Sequence, residues 1–354
     1  MRSGVIALGT LGSSPLRCRT LSSLAIAVSS IALATLSVAA QGDAPERLLT
    51  RQGVDIVANE DVFALFAALN AAGYSEETER EGPPLGAPVF HPVRVDVREA
   101  LREARTAEAF KAVRKIFKEY PEPIEIYIEA VVFESDPSGE VGKLQRVLMP
   151  ALAQFRRDAN LAKLFDRLAE QQRDHALMFK QQLEADFETA KKILQVDTLK
   201  APPELSVVPN LLDGHDEVRT VQHESRRCLV VGPSISTSRA AVLEDVLTTV
   251  LRPAAKRAFE EAPEFQRSWD NLKTSRLART RYGDGVNYLA RAVARAVIHR
   301  VTHPKGSREG DEDFFDNQTK EGMRWARAAL KVVDIPNRGD MTSVLPSLLK
   351  KTSP

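Results

Sequence analysis

From Pro150 to about Gln195 the chain carries large apolar residues at helical spacing: Leu152, Phe155, Leu161, Leu164, Phe165, Leu168, Phe179, Leu183, Phe187 and Leu194. A run of that length exceeds what strands reach and commits this part of the chain to helices. The register of the apolar positions shifts at Asp158, Ala159 and Asn160, which divides the run into a pair of long helices. The second ends before the linker VDTLKAPPE, residues 196–204. Any fold for this chain has to be arranged around that pair.

The segments before it are read by the same rules. Val54 to Val57 is a short apolar run, and Asn59 is placed to cap a helix over Glu60 to Ala72 that Gly73 ends. Residues 75–93 are loop by composition. DVREALREARTAEAFKAVRKIFKEY is rich in helix formers and is stopped by Pro121 and Pro123. In IEIYIEAVVF, residues 124–133, Ile124, Ile126 and Ile128 alternate with polar residues, so the period predicts a strand.

After the linker the composition changes. LSVVPNLL, VRTVQ and RCLVVGPS are short, β-branched and separated by turns at Asp213-Gly214 and Glu224-Ser225, which predicts a small antiparallel sheet. Ser236 to Ser238 can cap the helix that follows, and Pro253 is expected to end or kink it, with a further helix starting there. GVNYLARAVARAVIHRV forms another helix, residues 304–313 a loop, TKEGMRWARAALKVVD a last helix, and residues 336–354 a proline-interrupted tail. The fold class is α+β, mostly helical, with the sheet packed beside the helix that contains LEDVLTTVLRP, residues 243–253.

The first 40 residues stand apart. Arg2, Arg17 and Arg19 precede LSSLAIAVSSIALATLSVAA, an uncharged stretch ending in small residues at Ser37, Ala39 and Ala40. That is the layout of a secretory signal cleaved before Ala40 or Gln41, with retention as an anchor as the alternative. The predicted organisation is a signal over 1–40, a helical region over 41–200, a region holding the sheet over 201–335, and the tail over 336–354. Loss of the signal takes three arginines from a formal charge of +1 and leaves the mature chain near −2. Such a balance asks for neither nucleic acid nor an anionic membrane surface. Cys228 is then the only cysteine left, so an exported chain has no internal disulfide and depends on its core.

In LEDVLTTVLRP the apolar residues Leu243, Val246, Leu247, Val250 and Leu251 make one buried face, with Glu244 and Thr248 four apart on its border. A zinc hydrolase carries its two histidine ligands at that spacing, with a glutamate base between them. Five pieces together resemble secreted bacterial proteins with a zincin-like metallopeptidase domain: ALFAALNAAGY (64–74), LMPALAQFRRDANLAKLF (148–165), CLVVGPS (228–234), LEDVLTTVLRP (243–253) and ARAVARAVIHR (290–300). The resemblance covers most of residues 50–335.

The resemblance implies an HExxH helix followed by a proline nine residues after the first histidine, which places Glu244 at the first ligand, Asp245 at the base and Thr248 at the second ligand relative to Pro253. The downstream glutamate ligand of the family would fall at or near Arg291. Every ligand is therefore replaced, and a guanidinium cannot coordinate a metal ion. The resemblance thus implies a degenerate site without a cofactor, and a Glu244 to Arg291 ion pair in place of the metal. The expected function is that of an exported, non-catalytic relative of metallopeptidases whose old substrate cleft is either vestigial or used to hold a peptide, with the partner, a peptide or an envelope protein, left open. Its competitors are a hydrolase with a rebuilt centre and a purely structural envelope protein.

Other constellations compete for attention. His299 and His303 have the spacing of two metal ligands, with Asp311, Glu312 and Asp313 following; both also sit at a helix C-terminus, where the dipole favours histidine. A rebuilt hydrolase would use that pair with a metal, or Glu244 and Asp245 as two carboxylates. His215 and His223 flank a turn, Cys228 lies in an apolar run, and the nucleophile elbow G-x-S-x-G is missing.

Overall fold

In the computed structural model the described residues are 47–74, 92–202, 204–261, 263–272, 282–303, 308–337 and 339–352. The expected signal segment, 1–40, and residues 75–91 of the expected loop lie outside them. A five-stranded sheet sits at the centre: β1 (Arg47–Leu49), β2 (Asp55–Val57), β3 (Leu205–Pro209), β4 (Val218–His223) and β5 (Arg226–Val231), in the order β1-β2-β3-β5-β4.

The sheet is mixed rather than antiparallel throughout. β4 and β5 form a hairpin closed by the His223 to Arg226 pair, and β1 pairs antiparallel with β2, but β3 runs parallel to both β2 and β5. β5 takes the place beside β3 because four consecutive residues, Cys228 to Val231, are fully buried, as a strand covered on both faces must be. Its alternation divides the core. Leu205, Val207, Leu229 and Val231 face one apolar cluster, whereas Val208, Cys228, Val230 and Val221 face the other.

The second of those clusters is built from α1 (Glu60–Ala72), α2 (Pro92–Ala100), α3 (Glu108–Glu119), α4 (Ile124–Val132) and α5 (Glu140–Asp158). The caps of α1 are those the sequence predicts. The Asn59 carboxamide oxygen accepts from the amides of Asp61 and Val62 at 3.0 and 2.9 Å, and Gly73 turns out of the helix at φ 104°. The segment expected as one helix from Asp96 onward is instead divided between α2 and α3 by a 3₁₀ turn at Ala104–Thr106.

The strand expected over 124–133 is a helix, α4. Ile124, Tyr127, Ile128 and Val131 recur at i, i+3, i+4 and i+7 and are buried together, a pattern the alternating isoleucines conceal. Gln145 from α5 donates to the carbonyls of Ala130 and Phe133 at 2.8 and 2.7 Å, supplying partners for the free C-terminal carbonyls of α4.

The expected long helices are α5, which begins at Glu140 and passes through Pro150, and α6 (Leu161–Leu194). Asn160 separates them in the left-handed conformation, φ 49°. The two halves of α6 serve different cores: Leu161, Leu164 and Leu168 join the cluster just described, whereas Phe179, Leu183 and Phe187 join the other. Residues on both sides of position 200 therefore build each cluster, and the described residues between 47 and 352 fold as one unit.

The first cluster is completed by α7 (Ile235–Glu261), α8 (Pro263–Leu272), α9 (Gly285–Thr302), α10 (Arg308–Lys320), α11 (Ala326–Val333) and α12 (Met341–Thr352). α7 does not end at Pro253 but continues through it to Glu261. Its first carbonyl acceptor is Ser234, which receives Ser238 N–H at 3.0 Å, so the helix starts before the serines expected to cap it. The stretch expected as loop over 304–313 is helical from Arg308, and the expected tail is α12, whose Met341 and Leu345 are fully buried. TKEGM belongs to the end of α10 and the turn after it, leaving Ala326 to Val333 as the helix expected there. Among the described residues no helix is long and apolar enough to cross a membrane.

Candidate functional site

α7 and α9 lie side by side, and α9 brings small residues to the apolar cluster that the two helices share. Ala290, Ala292, Ala294 and Ala296 are buried in the same apolar cluster as the Leu243, Val246, Leu247 and Leu251 face of α7. The polar residues on the borders of these faces are thereby brought together. Glu244 accepts from Arg295 Nε at 3.1 Å and lies 4.0 Å from Arg291 Nε, so the expected Glu244 to Arg291 pair exists, with Arg295 as the tighter partner. Arg295 also donates to Gln318 at 2.9 Å and to Glu321, tying α10 and its following turn to the same point.

Asp245, next in the chain, points elsewhere. It is ion-paired with Arg227 of β5, which also donates to Gln222 at 3.1 Å. Burial raises the Asp245 carboxyl above the usual aspartate range, opposed by the attraction of Arg227 and Arg291. Neighbouring residues on a helix are about 100° apart, and the two acids follow that rule: Glu244 turns to α9 and Asp245 to the sheet. They do not form a carboxylate pair of the kind a metal-free hydrolase would need.

Asp245, Thr248 and Arg291 line one cleft of about 400 Å³ between α7, α9 and the β4–β5 turn; Glu244 stands outside its lining. Arg227 and Arg252 line it too. Asp245 Oδ2 and Thr248 Oγ1 are buried there without a hydrogen-bond partner. These donors do not suit the zinc ion that the resemblance would place here. Glu244 is held by two guanidiniums, Thr248 is a neutral hydroxyl, and Arg291 brings a positive charge to the third position.

His299 is buried, its Nε2 2.7 Å from Asp311 Oδ1, and its ring is stacked between His303 at 4.8 Å and Phe314 at 4.4 Å. Arg300 holds both oxygens of Asp311 at 2.6 and 2.9 Å and both of Asp334 at 2.8 Å. Those bonds pull the Asp311 carboxyl down to about 2, while burial lowers His299. The expected alternative metal pair thus shares its nearest acid with a bidentate arginine. Among the described residues no group of three or more His, Cys, Asp or Glu side chains is placed to hold a metal ion. His223 lies 3.7 Å from Glu129 and stacks on Phe133, and Cys228 is a buried thiol pushed up to about 11 by desolvation.

A polar network that the sequence did not reveal lies under the other face of the sheet. The Tyr74 hydroxyl donates to Asp213 and accepts from Arg219 Nη2 at 2.9 Å; Arg219 Nε donates to the second Asp213 oxygen at 2.9 Å. Arg94 stacks 5.1 Å from the Tyr74 ring centroid and donates to Asn70 at 3.1 Å, and Asn70 donates to the Leu212 carbonyl at 3.0 Å. Tyr74, Asp213, Asn70 and Arg94 are all essentially without exposure. This is a satisfied buried network that fixes the N-terminal helices to the sheet.

Comparison with protein families, with curated proteins and with solved structures gives no match to this chain.

Proposed function

We propose that this protein is an exported, non-catalytic relative of zinc metallopeptidases in which the cleft between α7 and α9 serves binding rather than hydrolysis. The observation that carries the reading is the shared cleft of Asp245 and Thr248 on α7 and Arg291 on α9, 43 positions beyond Thr248, which together offer one carboxylate, a neutral hydroxyl and a guanidinium rather than a zinc ligand set. The ion pairs of Glu244 with Arg291 and Arg295 join the two helices where a metal would otherwise do so. Export rests on the arginine-bearing lead and uncharged stretch of residues 1–40.

Metal analysis of untagged protein, with a peptidase assay on mixed peptides, tests the first half of the proposal. Stoichiometric zinc, or hydrolysis abolished by a chelator, would refute it. Export is tested by N-terminal sequencing of the mature chain from fractionated cells, which is expected to begin at Ala40 or Gln41.

A further inference from the structure

A second hollow, of about 240 Å³, lies at the starts of β3 and β5 and shares no lining residue with the cleft between α7 and α9. Strand register builds it. Leu49 lies opposite Asp55, and Asp55 beside Ser206, so their side chains share the face turned away from Ile56 and Val207 and the first cluster. Glu204 and Arg226 each stand one residue before the paired Leu205 and Arg227, which sets them side by side on that same face. Phe133, the residue after α4, closes the hollow, and Leu49 at its rim is 58% exposed.

Four charges line the hollow, and they are of two kinds. Arg47 and Asp55 are paired at 2.6 Å and answer each other. Glu204 and Arg226 are neighbours of opposite charge that are held apart. The Glu204 carboxylate accepts from the Ser225 hydroxyl at 2.6 Å, whereas the Arg226 guanidinium lies over the Phe133 ring, 5.1 Å from its centroid. Neither is ion-paired with any side chain among the described residues, and both are exposed, so a solute reaches them directly. The Glu204 backbone is fixed in the left-handed region, φ 65°, with its carbonyl receiving Arg227 N–H at 3.1 Å.

That arrangement selects by charge. An anion drawn to Arg226 meets the Glu204 carboxylate, and a cation drawn to Glu204 meets Arg226, so a ligand of one sign gains little. A zwitterion with its two charges close together satisfies both, its carboxylate on the guanidinium fork and its ammonium on the carboxylate. Leu49 and Phe133 offer apolar surface to the remainder of such a molecule. The volume lies below the roughly 300 Å³ at which drug-sized sites begin, which limits the ligand to about the size of one amino acid.

We propose that this hollow binds a free α-amino acid with an apolar side chain, its carboxylate on Arg226, its ammonium on Glu204 and its side chain against Leu49 and Phe133. The proposal goes beyond the reading of the cleft between α7 and α9 and does not depend on it.

The test is an amide-detected NMR titration of the full mature chain with leucine, with leucinamide, which lacks the carboxylate, with N-acetylleucine, which lacks the ammonium, and with alanine. Leucine is expected to bind with a Kd of about 1 mM or tighter. Each blocked form should bind about tenfold more weakly, the loss of one charge-assisted contact, and alanine at least about fivefold more weakly. Both charged residues are exposed, so Arg226→Gln and Glu204→Gln should fold normally. Arg226→Gln should weaken leucine about tenfold and leave leucinamide unchanged; Glu204→Gln should weaken leucine equally and leave N-acetylleucine unchanged. A merely structural role for either residue would not sort the ligands in that way. Lys118→Gln, exposed on α3 and outside the lining, should change nothing. No shift with leucine at about 10 mM, a blocked form that binds as well as leucine, or indifference of leucine to either substitution would each overturn the proposal. Zinc in the untagged protein would instead refute the non-catalytic reading of the other cleft, whatever leucine does.

Discussion

Tyr74→Phe isolates one atom of the buried network and should cost far more than the loss of a single hydroxyl at a surface. The ring keeps its edge contact with Phe66, 5.9 Å between centroids, and its place beneath Arg94. What disappears is a donor to Asp213 and an acceptor for Arg219, two hydrogen bonds to charged groups. Each such bond contributes about 1.5–3 kcal/mol. The survivors soften the loss: Asp213 still receives Arg219 Nε at 2.9 Å and the Gly214 amide at 2.7 Å, and Arg219 still reaches Glu125 at 3.0 Å. The expected destabilisation is therefore nearer one full bond than two, about 2–3 kcal/mol. With a urea m-value of about 3 kcal/mol/M for a chain of this size, the unfolding midpoint should fall by about 0.7–1 M. The assay is equilibrium urea unfolding of variant and wild type followed by circular dichroism. Asp213→Asn and the double variant complete a cycle that should be strongly non-additive, because both changes remove the same bond. A midpoint shift below about 0.2 M, or simple additivity, would refute the view that this network holds α1 to the sheet.

Other perturbations read other parts of the fold. Gly232→Ala places a methyl 2.1 Å from the Gly214 carbonyl oxygen, a contact between two backbones that cannot yield cheaply, and should destabilise by about 1–3 kcal/mol in urea unfolding. Arg295→Met leaves Glu244 and Glu321 facing each other without their shared cation and should cost about 3–5 kcal/mol, measured as above; a neutral outcome would deny its role between α7 and α10. The Asp311 carboxyl titrates near 2 when folded against 3.8 ordinarily, so it adds stability above pH 4 that is lost as pH falls from about 4 toward 2. The acid limb of stability measured for Asp311→Asn should be shallower than that of wild type over that interval. Cys228 is fully buried and its thiol is pushed up to about 11, so alkylation at pH 8 should be at least about 100-fold slower in the native chain than in urea.

How much of this was legible in the sequence depended on how far each decision lay from the residues that made it. The caps of α1 are set within four residues, Asn59 to Val62 at one end and Asn70 to Gly73 at the other, and they read correctly. The division of α5 from α6 at Asn160 is equally local. α4 failed because Ile124 and Ile128 satisfy a period of two as well as a helix. What decides between them is tertiary: Tyr127 packs edge-on against Phe117 at 5.3 Å, and Gln145 serves the helix's last carbonyls. The expected antiparallel pairing failed for the same reason, since nothing in β3 or β5 states that they will lie side by side and parallel.

The candidate site divides along that line as well. The resemblance, counted from Pro253, put Glu244, Asp245, Thr248 and Arg291 at one site; Asp245, Thr248 and Arg291 line the cleft and Glu244 does not, and Arg227 and Arg252 were missed because their part depends on the β4–β5 hairpin reaching the helix. Tyr74 and Asp213 are 139 residues apart, and each reads by itself as a turn residue. Apolar residues announce burial by their spacing. A tyrosine, an aspartate and an arginine announce nothing until each has been placed beside the others, since a polar group enters the core only with its partner. The same reasoning separates the two orphaned atoms of the cleft from the satisfied network under the sheet: both were invisible in the chain, yet only the former lack an answering group inside it.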